Sequence, residues 1–360
     1  MNHRCIRNPR TGGAERTIFE VGKRLVARGH EVDLLTGGWQ NAPRHEVIDG
    51  IKIHRYGYRL LPHLVQPVYL GYHKDADVIV DDMAHAAPWF SPWLSRKPGV
   101  VFFRHMHART LLGQATPFMA LMLSFFERHY SFIYRSWPFV TESNTSEMDL
   151  NSLGVDIQRI TKIPPGVDTV LFRPGAKTLE PSMVYFGGMR PYKRPEHALV
   201  ALKLLQNKGY KKTHLTMVGD GPSLSFLRQL SRELCINDQV TFTGKVTDSE
   251  LTKIVSSSWV NLHCSISEGW GYSVLESAAA GTPTVAYKVP GIVETVVDGG
   301  TGRLVTDGDV VSLARSIETV FETQGNWSYA SRRYAESFSW DVATDRWEEQ
   351  LKKSTSRASF

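Results

Sequence analysis

Cysteine is scarce in this 360-residue chain: only Cys5, Cys235 and Cys264 occur, far apart and with no CxxC pair. That excludes a disulfide-stapled scaffold and a cysteine-based zinc site, and it fits a reducing compartment. Long apolar runs are missing too. None reaches the roughly 18 residues of a spanning helix, and the opening MNHRCIRNPR has no apolar signal-peptide core. A cytoplasmic protein is expected. Charge of one sign is in short supply, with 42 Lys and Arg against 36 Asp and Glu. Much of the excess sits in residues 1–60, which hold 11 basic and 6 acidic side chains. Such a bias suits anionic lipid, phosphate or nucleic acid without fixing a partner. Neither GxxxxGK[ST] nor GxGxxG occurs, so kinase, P-loop NTPase and dinucleotide-oxidoreductase chemistry lose support.

What is present is alternation. GAERTIFEVGKRLVARGH places Ile18, Val21, Leu25 and Val26 near helical spacing and ends at Gly29. Apolar strand-like runs follow: HEVDLLTG, IKIHRYG, DADVIVDD and PGVVFFRH. The rhythm restarts with PSMVYFGG and continues through HLTMVGDGP, QVTFTG, WVNLHCS and TPTVAY, with helical patterns between them. Strands buried on both faces and separated by helices read as parallel sheets of the doubly wound α/β class. The Pro- and Gly-rich stretch around 163–181 marks a break. Two Rossmann-like domains are expected, spanning 1–165 and 182–338 with a hinge at 166–181. Only about ten polar residues precede Gly12, where a doubly wound domain normally has its first strand. Either that strand is very short or the chain as given starts late.

Four constellations carry chemistry. In Ser267-Glu268-Gly269-Trp270-Gly271-Tyr272-Ser273-Val274-Leu275-Glu276, a strand gives way to a helix through glycines. Gly269 and Gly271 let the backbone approach a ligand closely, and the free amides of Tyr272, Ser273 and Val274 at the helix start suit a diphosphate. Glu276 can accept from a ribose diol, and Glu268 reaches another part of the same ligand. Next, Gly187-Gly188-Met189-Arg190-Pro191-Tyr192-Lys193-Arg194 puts cations after a strand, where they can neutralise a phosphate leaving group. Third, Gly12 and Gly13 open a helix in the first half with an anion-friendly turn. Last, Arg104-His105-Met106-His107-Ala108-Arg109 ends a strand, where His105 can contact a sugar or orient a hydroxyl. Asp81-Asp82 read as a turn or cap. The apolar stretch 111–126, followed by ERHYSFIYRSW, reads as a core helix or a patch that touches lipid.

These motifs, with FVTESNTSEMDLNSLGV, ITKIPPGVDTVLFRP and GIVETVVDGGTGRLV, resemble family 4 of the nucleotide-sugar-dependent glycosyltransferases, most specifically in Glu268-x7-Glu276. Only about 40–135 match poorly. The resemblance implies a GT-B fold, with two Rossmann-like domains facing across a cleft, and retention of configuration without metal or cofactor. Residues 339–360 then form a helix crossing back to the first domain. By position, Glu276 looks like the residue holding the donor ribose, Glu268 the one contacting the transferred sugar, and Lys193 the one gripping the diphosphate. Val246 lies in the segment lining the base, Gly13 in the loop closing on the donor phosphate, and His105 at the acceptor-facing strand end. Where many members have Gly-Arg, this chain has Gly187-Gly188, and Arg190 is the expected substitute. Members also carry an apolar strand ahead of the residues seen here, so a start several residues late is expected. The expected partners are a UDP- or GDP-sugar and a lipid-linked or other glycan acceptor, with peripheral membrane contact and no nucleic acid. A sugar-nucleotide-binding protein without turnover and a GT-B epimerase are the rivals.

Overall fold

The computed structural model describes residues 1–9, 11–58, 63, 65, 70–73, 75–108, 116–323 and 325–357. The chain divides into two compact units: Met1–Gly166 with Trp340–Phe360, and Val167–Ser339.

In the first unit, α1 (Gly13–Ala27) packs against β1 (Asp33–Gly38) and β3 (Ile51–Tyr58), with the short antiparallel β2 (His45–Ile48) on the edge. Phe19, Leu34, Ile51 and Ile53 form the core between helix and sheet. The helix stops as its sequence predicts. Gly29 takes φ +92°, its amide bonds Val26 O, and the His30 amide bonds Leu25 O. A second parallel group runs β4 (Ile79–Met83), β5 (Gly99–Phe103), β6 (Phe139–Thr141), β7 (Ile160–Lys162). Residues 1–3 lie between the two groups. Asn2 N donates to Leu35 O at 2.9 Å and Gly37 N to His3 O at 3.2 Å; on the other side Asp82 N donates to Met1 O at 3.0 Å. The place of the opening strand is thus filled by three residues, in the doubly wound order 3-2-1-4-5.

Asp81 and Asp82 depart from expectation. Both lie inside β4 and are buried, not in a turn. Asp81 accepts from Ser91 Oγ at 2.7 Å and Tyr134 OH at 3.1 Å. Asp82 receives Arg104 through Nε at 2.9 Å and Nη2 at 3.0 Å. Arg104 also donates to Glu142 at 2.8 Å and to Ala14 O at 2.8 Å, tying the exits of three strands to the start of α1. In the 111–126 stretch, residues 111–115 fall outside the described residues, as does Arg109. The remainder forms α2 (Pro117–Arg128), capped by Thr116, after which α3 (Asn144–Ser152) follows β6.

The second unit is built around one six-stranded parallel sheet, ordered β10-β9-β8-β11-β12-β13. The strands are β8 (Ser182–Phe186), β9 (His214–Val218), β10 (Val240–Gly244), β11 (Val260–His263), β12 (Thr284–Tyr287) and β13 (Gly302–Val305). Helices α4 (Glu196–Asn207), α5 (Leu224–Glu233), α6 (Asp248–Ser257), α7 (Tyr272–Ala279), α8 (Val310–Glu322) and α9 (Gly325–Ala335) connect or follow them. The order reverses between β8 and β11, the topological switch point where open α/β sheets bind ligands.

The last helix, α10 (Trp340–Arg357), belongs to the first unit. Trp347 packs edge-on to Phe102 at 4.8 Å, and Arg28 pairs with Asp345 at 2.7 Å and Glu348 at 2.8 Å.

Candidate active site

The loops leaving β8 and β11 flank the switch point and bring Lys193 and Glu268 together, with Nζ 2.6 Å from Oε1. The side chains are 20% and 16% exposed, so solvent screens the pair little. Burial works against the charge on Glu268, yet Lys193, and then His263, outweigh it and hold its pKa at about 2. Burial likewise opposes the charge on Lys193, and Glu268 raises its pKa above the ordinary lysine value. Both groups are ionised throughout the physiological range.

Every described partner of Glu268 converges on one oxygen. Lys193, Ser265 Oγ at 2.7 Å and His263 Nε2 at 3.6 Å all meet Oε1. Oε2 takes no hydrogen bond from any described residue. On the same strand exit and loop, His263 Nδ1, Ser267 Oγ and Trp270 Nε1 are buried without a described partner. Buried polar atoms are normally satisfied, and such groups on the loop that carries Glu268 are suited to hydroxyl groups of a ligand. Burial depresses the His263 pKa to about 4, so the ring is neutral and can accept as well as donate.

Glycines shape the loops. Gly271 takes φ +89°, and a Cβ there would lie 2.6 Å from Ile292 Cδ1. Its carbonyl accepts from Val274 N and Leu275 N, so the Val274 amide, expected to be free for an anion, is taken by the first helical bond, and only the amides before it, such as Ser273 N, stand ahead of that bond. Tyr272 opens α7, and Glu276 is buried just beyond its first turn. Across the switch point, a Cβ on Gly219 would strike Gly187 O at 2.0 Å. The GDG loop after β9 therefore packs directly on the backbone of the cationic loop.

Gly188 and Arg190 are neighbours in space. A Cβ on Gly188 would meet Arg190 Nε at 3.6 Å. The Arg190 guanidinium makes no hydrogen bond or ion pair with a described residue. Arg194 is otherwise employed: it donates to Cys264 O at 2.8 Å and Ser265 O at 3.1 Å, pairs with Asp307 and lies over the Tyr287 ring. It clamps the β11 exit and holds Ser265 beside Glu268. Val246 is half-buried after β10, whose end is fixed by Gly219 N donating to Gly244 O at 2.8 Å.

The remaining expected residues lie in the first unit. Gly12 is the extended N-cap of α1, but its amide already donates to Glu15 Oε2 at 2.7 Å, so one orphan donor is satisfied internally. Gly13 is the first helical residue. His105 is half-buried two residues past β5, its ring 4.3 Å from that of His107. The His107 and Ala108 amides are held by Glu127 of α2 at 2.6 and 2.8 Å. Sequence reasoning missed His263, Ser265 and the Asp82–Arg104–Glu142 network. The available signal was polar residues at strand ends in otherwise apolar runs.

Two family descriptions match. "Glycosyl transferases group 1" covers residues 168–337 and "Glycosyltransferase Family 4" covers 11–171. The chain belongs to the family 4 glycosyltransferases of GT-B fold. Among relatives, D-inositol 3-phosphate glycosyltransferase of Acidothermus cellulolyticus is 27% identical, over 85% of this chain and 77% of its own. Among solved structures, sucrose-phosphate synthase of Thermosynechococcus elongatus superposes with TM-score 0.82 at 21% identity, covering 95% of this chain and 94% of its own. Anabaena HepE in complex with UDP and glucose gives 0.76 at 18% identity, covering 96% and 97%.

Proposed function

We propose that this chain is a retaining, metal-independent glycosyltransferase. It moves a sugar from a UDP- or GDP-sugar to a hydroxyl of a lipid-linked or otherwise membrane-associated acceptor. The observation that carries this is the Lys193–Glu268 pair at the switch point of the second unit, with Glu268 Oε2 taking no hydrogen bond from a described residue. Lys193, Arg190 and the start of α7 offer positive potential where a diphosphate departs. Glu268 Oε2 and His263 meet the hydroxyls of the transferred sugar, and Glu276 meets the ribose. As the diphosphate leaves with the bonding pair, the acceptor hydroxyl attacks the anomeric carbon from the face being vacated and gives its proton to the departing diphosphate oxygen. A complex with UDP and glucose in a protein of the same fold supports a nucleotide-sugar donor.

The surface of the first unit supports a membrane-associated acceptor. Phe118 and Leu121 of α2 are 75% and 72% exposed, and Trp93, Phe125 and Phe132 are exposed nearby. Exposed Arg96, Arg128 and Arg135 lie beside them in sequence. Exposed aromatic and apolar side chains with basic neighbours in sequence suit the anionic interface of a bilayer. No helix among the described residues is long and apolar enough to cross a membrane, so contact would be peripheral, from the cytoplasmic side.

The test is titration calorimetry with UDP and GDP, followed by turnover across donor and lipid-acceptor panels. Binding of one nucleotide and transfer with retained anomeric configuration are expected. Conversion of the donor with no acceptor present would favour an epimerase, and binding without turnover a sugar-nucleotide-binding protein.

A further inference from the structure

Away from the donor residues, the first unit carries a second cluster of chemistry-bearing side chains. Strand alternation turns Ile51 and Ile53 toward α1 and leaves Lys52, His54 and Tyr56 on the other face of β3. Asp33, which opens β1, meets His54 there, with Oδ1 2.7 Å from Nε2. His73, just after the 3-10 turn Leu70–Tyr72, brings its ring centroid to 4.7 Å from that of His54. One ligand atom from each of Asp33, His54 and His73 lies within 4.8 Å of the others. The fourth member is His45, directly opposite His54 in the β2–β3 register, with the two Nδ1 atoms 3.1 Å apart.

We infer that Asp33, His54 and His73 form a binding site for a divalent transition metal such as Zn²⁺. Two imidazoles and a carboxylate match the borderline character of zinc, cobalt and nickel and suit magnesium or calcium poorly. Zinc bonds of roughly 2.0–2.2 Å require the three donors to draw together slightly. Asp33 is exposed and free to do so. The His54 Nδ1 proton then goes to His45 Nδ1, the outer hydrogen bond that fixes a metal-bound imidazole's tautomer. With metal on Nε2 in place of the present hydrogen bond to Asp33, His54 is the neutral tautomer whose single proton is on Nδ1. The nearby Lys52 cation is already paired with Glu31 at 2.6 Å. Asp33 stands at the amino end of its strand, away from the carboxyl ends that carry ligands in doubly wound sheets. The ion therefore ties the Leu70–Tyr72 turn to the sheet without entering the transfer reaction.

The experiment uses the full chain after chelator treatment. Zn²⁺ and Co²⁺ are titrated by calorimetry, with visible absorption reporting the cobalt geometry. One ion per chain, a four-coordinate cobalt spectrum and a higher Tm with zinc are expected, with no response to Mg²⁺. His54→Gln and His73→Gln should abolish the spectrum and the Tm gain. His45→Ala should weaken binding roughly 10–100-fold. His73→Gln keeps the test usable should His54→Gln fail to fold, because the His73 ring makes no hydrogen bond to a described residue. Retention of the cobalt spectrum in both Gln variants would place the ion among other histidines and overturn the assignment, as would no binding at all. UDP titration of the same samples reads the donor site separately.

Discussion

At the scale of single residues, the defining element is a carboxylate that can use only one of its oxygens for a ligand. Glu268 is held at a pKa of about 2, well below the ordinary glutamate value, because Lys193 and His263 outweigh its burial. Its folded pKa is depressed, so the stability it contributes is present above pH 4.5 and is lost as pH falls toward 2. A shift of that size corresponds to about 3 kcal/mol at most. Urea denaturation of Glu268→Gln should therefore show a shallower loss of stability across that window than the parent. The same low pKa excludes Glu268 as a general acid, and no ionisation of it should enter the pH–rate profile between pH 5 and 9. Lys193→Ala leaves a buried carboxylate uncompensated and should cost on the order of 3 kcal/mol. Its kcat/KM should fall roughly 100–1,000-fold. Arg190 sits where the side chain of an arginine at 188 would project. Arg190→Ala should lose donor affinity and rate, and adding Gly188→Arg to it should restore much of both, because Gly188 needs no positive φ. Unchanged kinetics in Arg190→Ala would end Arg190's role.

At the scale of elements, the site is a property of where strand order reverses. Lys193 and Glu268 are 75 positions apart, yet β8 and β11 are adjacent, so their exit loops meet. The start of α7 depends on Gly271 in two ways, its positive φ and its contact with Ile292. Gly271→Ala should lower Tm and weaken diphosphate binding together, and calorimetry with UDP reads both. In the first unit, Arg104 bonds Asp82, Glu142 and Ala14 O at once. Arg104→Met should destabilise by about 3–5 kcal/mol, since it strands two buried carboxylates. The alternation of apolar strands and helices made the second unit legible in the sequence almost element by element. Its glycine–cation–glutamate motifs were legible for the same reason, because they sit at strand ends. The Asp82–Arg104–Glu142 network was not, since its partners come from three strands and only register joins them. A very short opening strand was one of two alternatives, because three residues supply no periodicity, and the edge histidines escaped because a hairpin register decides which rings face one another.

At the scale of the molecule, the apolar face of α2 should make sedimentation with liposomes depend on anionic lipid, and Phe118→Ser with Leu121→Ser should abolish it. Sedimentation indifferent to lipid charge would remove the membrane from the acceptor's description. The chain also leaves its first unit at Gly166 and re-enters it at Trp340. A chain ending at Ser339 should keep the second unit's UDP affinity while the first melts earlier. A peptide of α10 added in trans should restore that transition. During synthesis this imposes a schedule. The Phe102 ring and the Arg28 guanidinium leave the ribosome long before the Trp347 and Glu348 that complete them, with the whole second unit translated in between. The first unit is thus begun before the second and completed after it, and its unfinished flank is what a chaperone would meet on the nascent chain.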